Sequence, residues 1–213
     1  MILLSIVSSS CMQLITDKEN TKLRKAELVE IVKLDPTIKL DIRYATNNNF
    51  LRRKIYKTSK VFLQKPVAKS LLKVNNKINN DGYSLLIYDG YRPWSVTKIF
   101  WEEIAPEKRK FVADPKKGSM HNRGCAVDLT LYDLNTGTPI DMPCDYDTFS
   151  EEAYPNYSGG TDLQRKNRDY LIKVMKEEGF TVHPNEWWHY DYKDCNLYPI
   201  LNLTFEELLV KVN

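Results

Sequence analysis

Ile38, Leu40, Ile42 and Tyr44 alternate with Lys39, Asp41 and Arg43, a period-2 pattern that predicts a half-buried strand after the Asp35-Pro36 turn. Pro66 opens a helix in which Val67, Leu71, Val74 and Ile78 recur at helical spacing, and Asn80-Asp81-Gly82 ends it. Tyr83 to Tyr88 reads as an apolar strand running into Asp89-Gly90-Tyr91-Arg92-Pro93. Pro93 can begin a second helix through Val96, Ile99, Phe100 and Ile104, which sets Arg92 at a strand-to-helix junction. Farther along, Ala126 to Leu131 predicts a strand carrying Asp128, Leu163 to Glu178 a helix stopped by Gly179, and Trp187 to Tyr192 an aromatic strand. Thr204 followed by Glu207 has the spacing of a capping box for a short terminal helix. Neither a repeat nor a Pro/Gly/Ser-rich linker divides these elements. The pattern predicts one α+β domain, a central, mainly antiparallel sheet with helices packed on one face.

Composition narrows the class. A chain of 213 residues with 42% hydrophobic content can bury a sizeable core without needing a second domain. Its 31 basic and 28 acidic residues give a net charge of +3 and form no basic stripe, which argues against a nucleic-acid partner. Met1-Ile2-Leu3-Leu4-Ser5-Ile6-Val7 followed by Ser8-Ser9-Ser10-Cys11 has the look of a short export segment ending in small residues before a cysteine. We therefore expect a signal or lipoprotein leader, or else a disordered N-terminus, over residues 1–20, with Cys11 the candidate for a lipid anchor, and an exported, periplasmic or membrane-anchored domain over residues 21–213. A cytoplasmic protein is the alternative, because no Lys or Arg precedes the apolar run. The run is far too short to span a bilayer. Cys125, Cys144 and Cys195 show no C-x-x-C spacing, so neither a zinc ribbon nor a redox motif is present. Cys125, between Gly124 and Ala126, reads as core packing. Cys144 and Cys195 could pair in an oxidising compartment.

The chemistry concentrates in two segments, Ser119-Met120-His121-Asn122-Arg123-Gly124-Cys125-Ala126-Val127-Asp128 and Glu186-Trp187-Trp188-His189. Two imidazoles and a carboxylate, His121, His189 and Asp128, supply three ligands that Zn²⁺ accepts and leave a fourth position for water, the mark of a hydrolytic site. Glu186, three residues before His189, can take the proton of that water.

The S-x-H-x-x-G-x-A-x-D segment followed by E-x-W-H resembles the zinc D-Ala-D-Ala dipeptidases. The blocks Lys39-Leu40-Asp41-Ile42-Arg43-Tyr44-Ala45-Thr46, Asp89-Gly90-Tyr91-Arg92-Pro93, Asp128-Leu129-Thr130-Leu131-Tyr132 and Glu186-Trp187-Trp188-His189-Tyr190 follow the family's order from about residue 28 to 193. A lone His-x6-Asp would be weak; the ordered blocks are specific. The resemblance implies one zinc per chain and a small dipeptide, D-Ala-D-Ala, as substrate. It also implies that Arg92 stabilises the oxyanion, that Asp147 and Tyr44 hold the free amino group, and that Ser119 meets the C-terminal carboxylate, with Tyr56 a further pocket tyrosine. Pro143-Cys144-Asp145-Tyr146-Asp147 departs from the family's commoner Gly-Thr-containing loop.

Plainer readings stand beside these. A single histidine is more often a hydrogen-bonded core or surface residue than a ligand, but the chain has only 3 and two fall in the matched segments. His183, the remaining one, reads as structural or incidental, in a loop before Glu186. Trp187 and Trp188 would point to opposite faces of a strand, so at least one packs in the core. Arg92 could simply pair with Asp89. Two other functions remain open: a related zinc D,D-carboxypeptidase or peptidoglycan endopeptidase with room for a longer acyl side, and a binding protein in which zinc is structural. Glu186 speaks against the second, since a structural site needs no unliganded carboxylate.

Overall fold

The computed structural model describes residues 23–212; the leader and the Cys11 anchor expected from the sequence lie outside them. Seven strands are present among the described residues: β1 (Leu28–Glu30), β2 (Lys39–Leu40), β3 (Phe62–Gln64), β4 (Tyr83–Asp89), β5 (Ala126–Asp133), β6 (Phe180–His183) and β7 (Glu186–Tyr192). The helices are α1 (Lys65–Asn79), α2 (Trp94–Glu103), α3 (Asp162–Glu177) and α4 (Phe205–Val212). Five strands form one sheet in the order β2-β4-β5-β7-β6, and β1 pairs with β3 in a separate ribbon. Only β2 and β4 run parallel; the other neighbours are antiparallel. Helix α1 packs against β4, α3 against β6 and β7, and the two helices touch each other. This is the α+β domain that the patterning predicts. No helix among the described residues is long and apolar enough to cross a membrane.

Local chemistry explains the boundaries. Pro66 occupies the first turn of α1, where its missing N–H costs nothing, and Gly82 follows the helix at φ +86°. Thr161 and Gln164 close a capping box at the start of α3, and Thr204 with Glu207 does the same for α4. Asn75, wholly buried on α1, accepts from Ser84 Oγ and the Leu85 N–H at 2.8 and 3.0 Å and donates to Asp35 at 2.8 Å. That satisfied amide pins α1 to the start of β4.

Two expectations change. The strand foreseen from Ile38 to Tyr44 is cut to Lys39–Leu40, and Arg43–Ala45 is a 3-10 turn. Ile38, Ile42 and Tyr44 are still buried, so the alternation records which side chains face inward. The backbone leaves the ladder because the Tyr44 carbonyl accepts the N–H groups of Ile55 and Tyr56, both at 2.8 Å. The segment before Glu186, read as a loop, is the edge strand β6 of a hairpin with β7. Trp187 and Trp188 are both buried, with perpendicular rings 5.4 Å apart, so neither is left to solvent. Cys144 and Cys195 do not pair. Cys144 Sγ accepts from Trp187 Nε1 at 3.4 Å, Cys195 Sγ donates to the Cys125 carbonyl at 3.2 Å, and all three described cysteines are free thiols.

Candidate active site

The two central strands meet at the site. Asp128 on β5 is paired in register with His189 on β7, while Asp89 at the end of β4 lies beside Asp128. His121 comes from a 3-10 turn (His121–Arg123) just ahead of β5. Gly124 closes this turn at φ +68°, and a Cβ there would lie 2.4 Å from Leu28 Cδ2. The turn is tied to the β1–β3 ribbon: Gln64 donates its N–H to the Gly124 carbonyl and its Nε2 to the Arg123 carbonyl, each at 2.8 Å. Asn122, fully buried, donates to the Arg92 carbonyl at 2.9 Å and to Thr97 Oγ1 at 2.8 Å. His121 and Arg92 are thereby held as one unit.

Each candidate ligand is oriented by a second partner. His121 Nδ1 donates to the Gly90 carbonyl at 2.7 Å, His189 Nε2 donates to Asp191 at 2.9 Å, and Asp128 Oδ2 accepts from Tyr146 Oη at 2.9 Å. The atoms left over face one another. His121 Nε2 lies 3.3 Å from Asp128 Oδ1, His189 Nδ1 lies 3.0 Å from it, and the two nitrogens are 3.1 Å apart. Asp128 Oδ1 is buried and, among the described residues, has no donor in reach except these two ring nitrogens when one of them is protonated. Three lone pairs this close require a cation between them. The spacing is near the roughly 3.3 Å edge that tetrahedral coordination at about 2.0–2.1 Å demands, and the donors are the nitrogen and oxygen types zinc takes. His121, Asp128 and His189 can therefore hold a metal ion, with outer partners of the kind that orient ligating side chains. In the metal-free protein a proton takes the place of the metal. Burial alone would lower the His189 pKa, but hydrogen bonds to and the charges of Asp128 and Asp191 outweigh it and hold it well above its ordinary value.

A cavity of about 240 Å³ opens over these atoms, below the roughly 300–1,000 Å³ typical of pockets for drug-sized ligands. Glu186 lines it, its Oε2 at 3.7 Å from His189 Nδ1. Burial pushes this carboxyl up to about 7, with the His189 charge opposing and Asp128 reinforcing. Arg92, 8% exposed, gives its Nε and Nη2 to Asp89 Oδ2 at 2.9 and 2.7 Å and packs over Phe100 and Tyr44. Tyr44 Oη donates to the Asp147 carboxylate, 3.0 and 3.2 Å from its two oxygens. Asp147 has φ +61°, a conformation few residues other than glycine adopt; burial and the nearby Asp128 raise its pKa well above the ordinary carboxylate value. Ser119 lines the cavity and its Oγ accepts the His121 N–H at 3.2 Å.

Tyr56 is the residue the structure does not bring to the cavity. It is 2% exposed, and its hydroxyl donates to Asp89 at 3.0 Å. It braces the carboxylate that braces Arg92. Reading the sequence missed Asp191 and Tyr146. Asp191 was findable, since two residues along a strand returns to the same face as His189; Tyr146 arrives from an irregular loop with no periodicity to mark it. His183 also lines the cavity, against expectation, and burial lowers its pKa to about 4, with His189 acting in the same sense.

An open His₂Asp constellation with an unliganded carboxylate beside it, set in a small cavity over the central strands of the sheet, defines a metal-dependent hydrolase. Residues 24–210 match the Peptidase_M15 family, described as D-ala-D-ala dipeptidase, and the chain belongs to that family. It is 31% identical over 175 residues to the D-alanyl-D-alanine dipeptidase of Escherichia coli (strain K12), covering 82% of this chain and 89% of that protein. It is 31% identical to the D-alanyl-D-alanine dipeptidase of Enterococcus faecium, covering 74% of this chain and 87% of the relative. Solved structures with a distant likeness include the LdcB LD-carboxypeptidase, at 18% identity and TM-score 0.45 over 91% of this chain and 81% of that one. Another is the vancomycin resistance D,D-dipeptidase VanXYg, at 18% identity and TM-score 0.41 over 79% and 67%.

Proposed function

We propose that this protein hydrolyses the dipeptide D-Ala-D-Ala to two molecules of D-alanine, using one zinc ion held by His121, Asp128 and His189. The observation that carries the reading is the inward-facing trio of lone pairs beside Glu186, with a half-buried carboxylate, Asp147, elsewhere on the same cavity wall. Zinc, when bound, polarises a carbonyl and lowers the pKa of its water from about 15.7 to about 7. Glu186, on the cavity wall 3.7 Å from His189 Nδ1, takes the proton of the attacking water and delivers it to the leaving amine. Arg92, held by Asp89 and backed by Tyr56, presents its guanidinium to the oxygen on which negative charge develops. Asp147 and Tyr44 receive the free ammonium of the substrate, and Ser119 faces its carboxylate.

The charge of Asp147 separates a dipeptidase from a carboxypeptidase. N-acetylation removes the ammonium and leaves the half-buried Asp147 carboxylate without its cation, a loss of about 2–5 kcal/mol or roughly 30- to 4,000-fold in kcat/KM. Purified protein should cleave D-Ala-D-Ala, lose that activity to a chelator and regain it with zinc, while N-acetyl-D-Ala-D-Ala stays nearly inert. Comparable rates on the two substrates would favour the carboxypeptidase.

A further inference from the structure

His183 has no part in the chemistry above, yet the fold delivers its side chain to the cavity. The β6–β7 pairing is regular through Val182 and slips between Val182 and His183, an irregularity that re-aims the side chain following it. The imidazole consequently lines the cavity, its ring centre 5.2 Å from that of His189. Nδ1 accepts the Asn185 N–H at 3.4 Å, so this nitrogen keeps its lone pair and Nε2 carries the proton in either charge state. Nε2 has no protein partner among the described residues, so its N–H is available to a molecule in the cavity.

Position decides what that donor meets. Tyr44, Arg92 and Asp147 form one contiguous group, joined by the Tyr44–Asp147 hydrogen bonds and the stacking of Arg92 on Tyr44. His183 belongs instead to the hairpin that carries Glu186 and is its cross-strand neighbour. With the substrate's ammonium at Asp147 and its scissile carbonyl between Arg92 and Glu186, the residue on the hairpin side is the leaving one, and its acceptor is the C-terminal carboxylate. We propose that His183 is a specificity-determining residue whose Nε2–H donates to that carboxylate. The inference rests on the D-Ala-D-Ala reading for the orientation of the substrate, but the carboxylate end is shared by the dipeptide and its N-acylated forms.

The test compares parent, His183→Phe and His183→Gln on D-Ala-D-Ala and on its C-terminal amide, with zinc content measured in parallel. Phe keeps the ring and its burial without the donor; Gln restores an N–H. Losing a hydrogen bond to a charged group should lower kcat/KM of His183→Phe on the free acid about 10- to 150-fold through KM, with kcat held within about threefold. The amide should lose less than about threefold, and Gln should recover part of the loss. Equal losses on acid and amide, a loss carried by kcat, or a fall in zinc content would show a structural role and overturn the proposal. If the parent cleaves only N-acetyl-D-Ala-D-Ala, the dipeptide reading fails instead, and the same acid-against-amide comparison on the acylated substrate decides His183.

Discussion

Asn122 touches no substrate-facing atom in the scheme above, yet its amide joins the His121 turn to the Arg92 carbonyl and to α2 through Thr97. Its Oδ1 also accepts the Ser119 N–H at 2.8 Å. Asn122→Ala leaves buried partners unmatched, which costs about 1–3 kcal/mol for each group stranded. Thermal unfolding should show a clear drop in Tm, with kcat/KM falling as well because both ends of the reacting pair are loosened. An unchanged Tm would mean that water replaces the amide and the clamp is dispensable. Glu186 presents the reverse case, chemistry obtained at the expense of stability. Glu186→Gln should lower kcat about 100- to 10,000-fold with zinc retained; loss of zinc would instead make Glu186 a ligand. In the metal-free protein the same substitution should stabilise. The folded carboxyl holds its proton up to about 7, whereas the unfolded one releases it near 4.5. The folded state therefore binds more protons across that window and loses stability as pH rises through it. The shift corresponds to on the order of 3 kcal/mol, so metal-free Glu186→Gln should melt higher than the metal-free parent at pH 8 and equally at pH 4.

At the scale of elements, backbone approach matters as much as side chains. Gly90 lets the end of β4 lie against β3: a Cβ there would come 2.6 Å from Val61 Cγ1 and 3.1 Å from the Phe62 carbonyl. The carbonyl so placed is the one that fixes the tautomer of His121. Gly90→Ala should push β4 away from β3 and weaken metal binding, read as a right-shifted zinc titration; an unaltered titration would show that the ribbon yields instead. How much of this was legible in the sequence follows from periodicity. Helices α1 and α3, strands β4, β5 and β7 and the α4 capping box carried their own spacing, and the ligands sat on or next to them. The hairpin strand β6 did not: its four residues are too few to display a period beside Pro184. The Tyr44 segment shows the opposite failure. Its alternation is real, but burial of alternate residues does not require a ladder, and the hydrogen bonds that turn the chain come from Ile55 and Tyr56, beyond the local pattern. Tyr56 matched by kind, a buried tyrosine, while its direction, toward Asp89 and away from the cavity, was a tertiary fact.

For the whole molecule, the core and the metal site are separable. The cluster around Leu71, Val74, Ile87, Leu129 and Tyr190 is buried without help from the ligand atoms, so the metal-free protein should stay folded, unlike small domains that need zinc to fold at all. What the metal changes is the pH dependence. The His189 pKa is raised above its ordinary value of 6.5 by Asp128 and Asp191. That contribution is fully present below 6.5 and is lost as pH climbs through the raised value, the same direction as the Glu186 effect. Rising pH therefore strips the proton that separates Asp128 Oδ1 from the two imidazoles and leaves like-signed lone pairs 3.0–3.3 Å apart. Zinc occupies that point without a proton, and binding it must release one. The metal-free protein should lose Tm from neutral pH upward, while the zinc-bound protein holds its Tm, so the gap between them widens with pH. Calorimetric zinc titrations in buffers of different ionisation enthalpy should report about one proton released near pH 7. A gap independent of pH, with no proton released, would show that the cation between His121, Asp128 and His189 is not what zinc displaces, and the ligand assignment would fall with it.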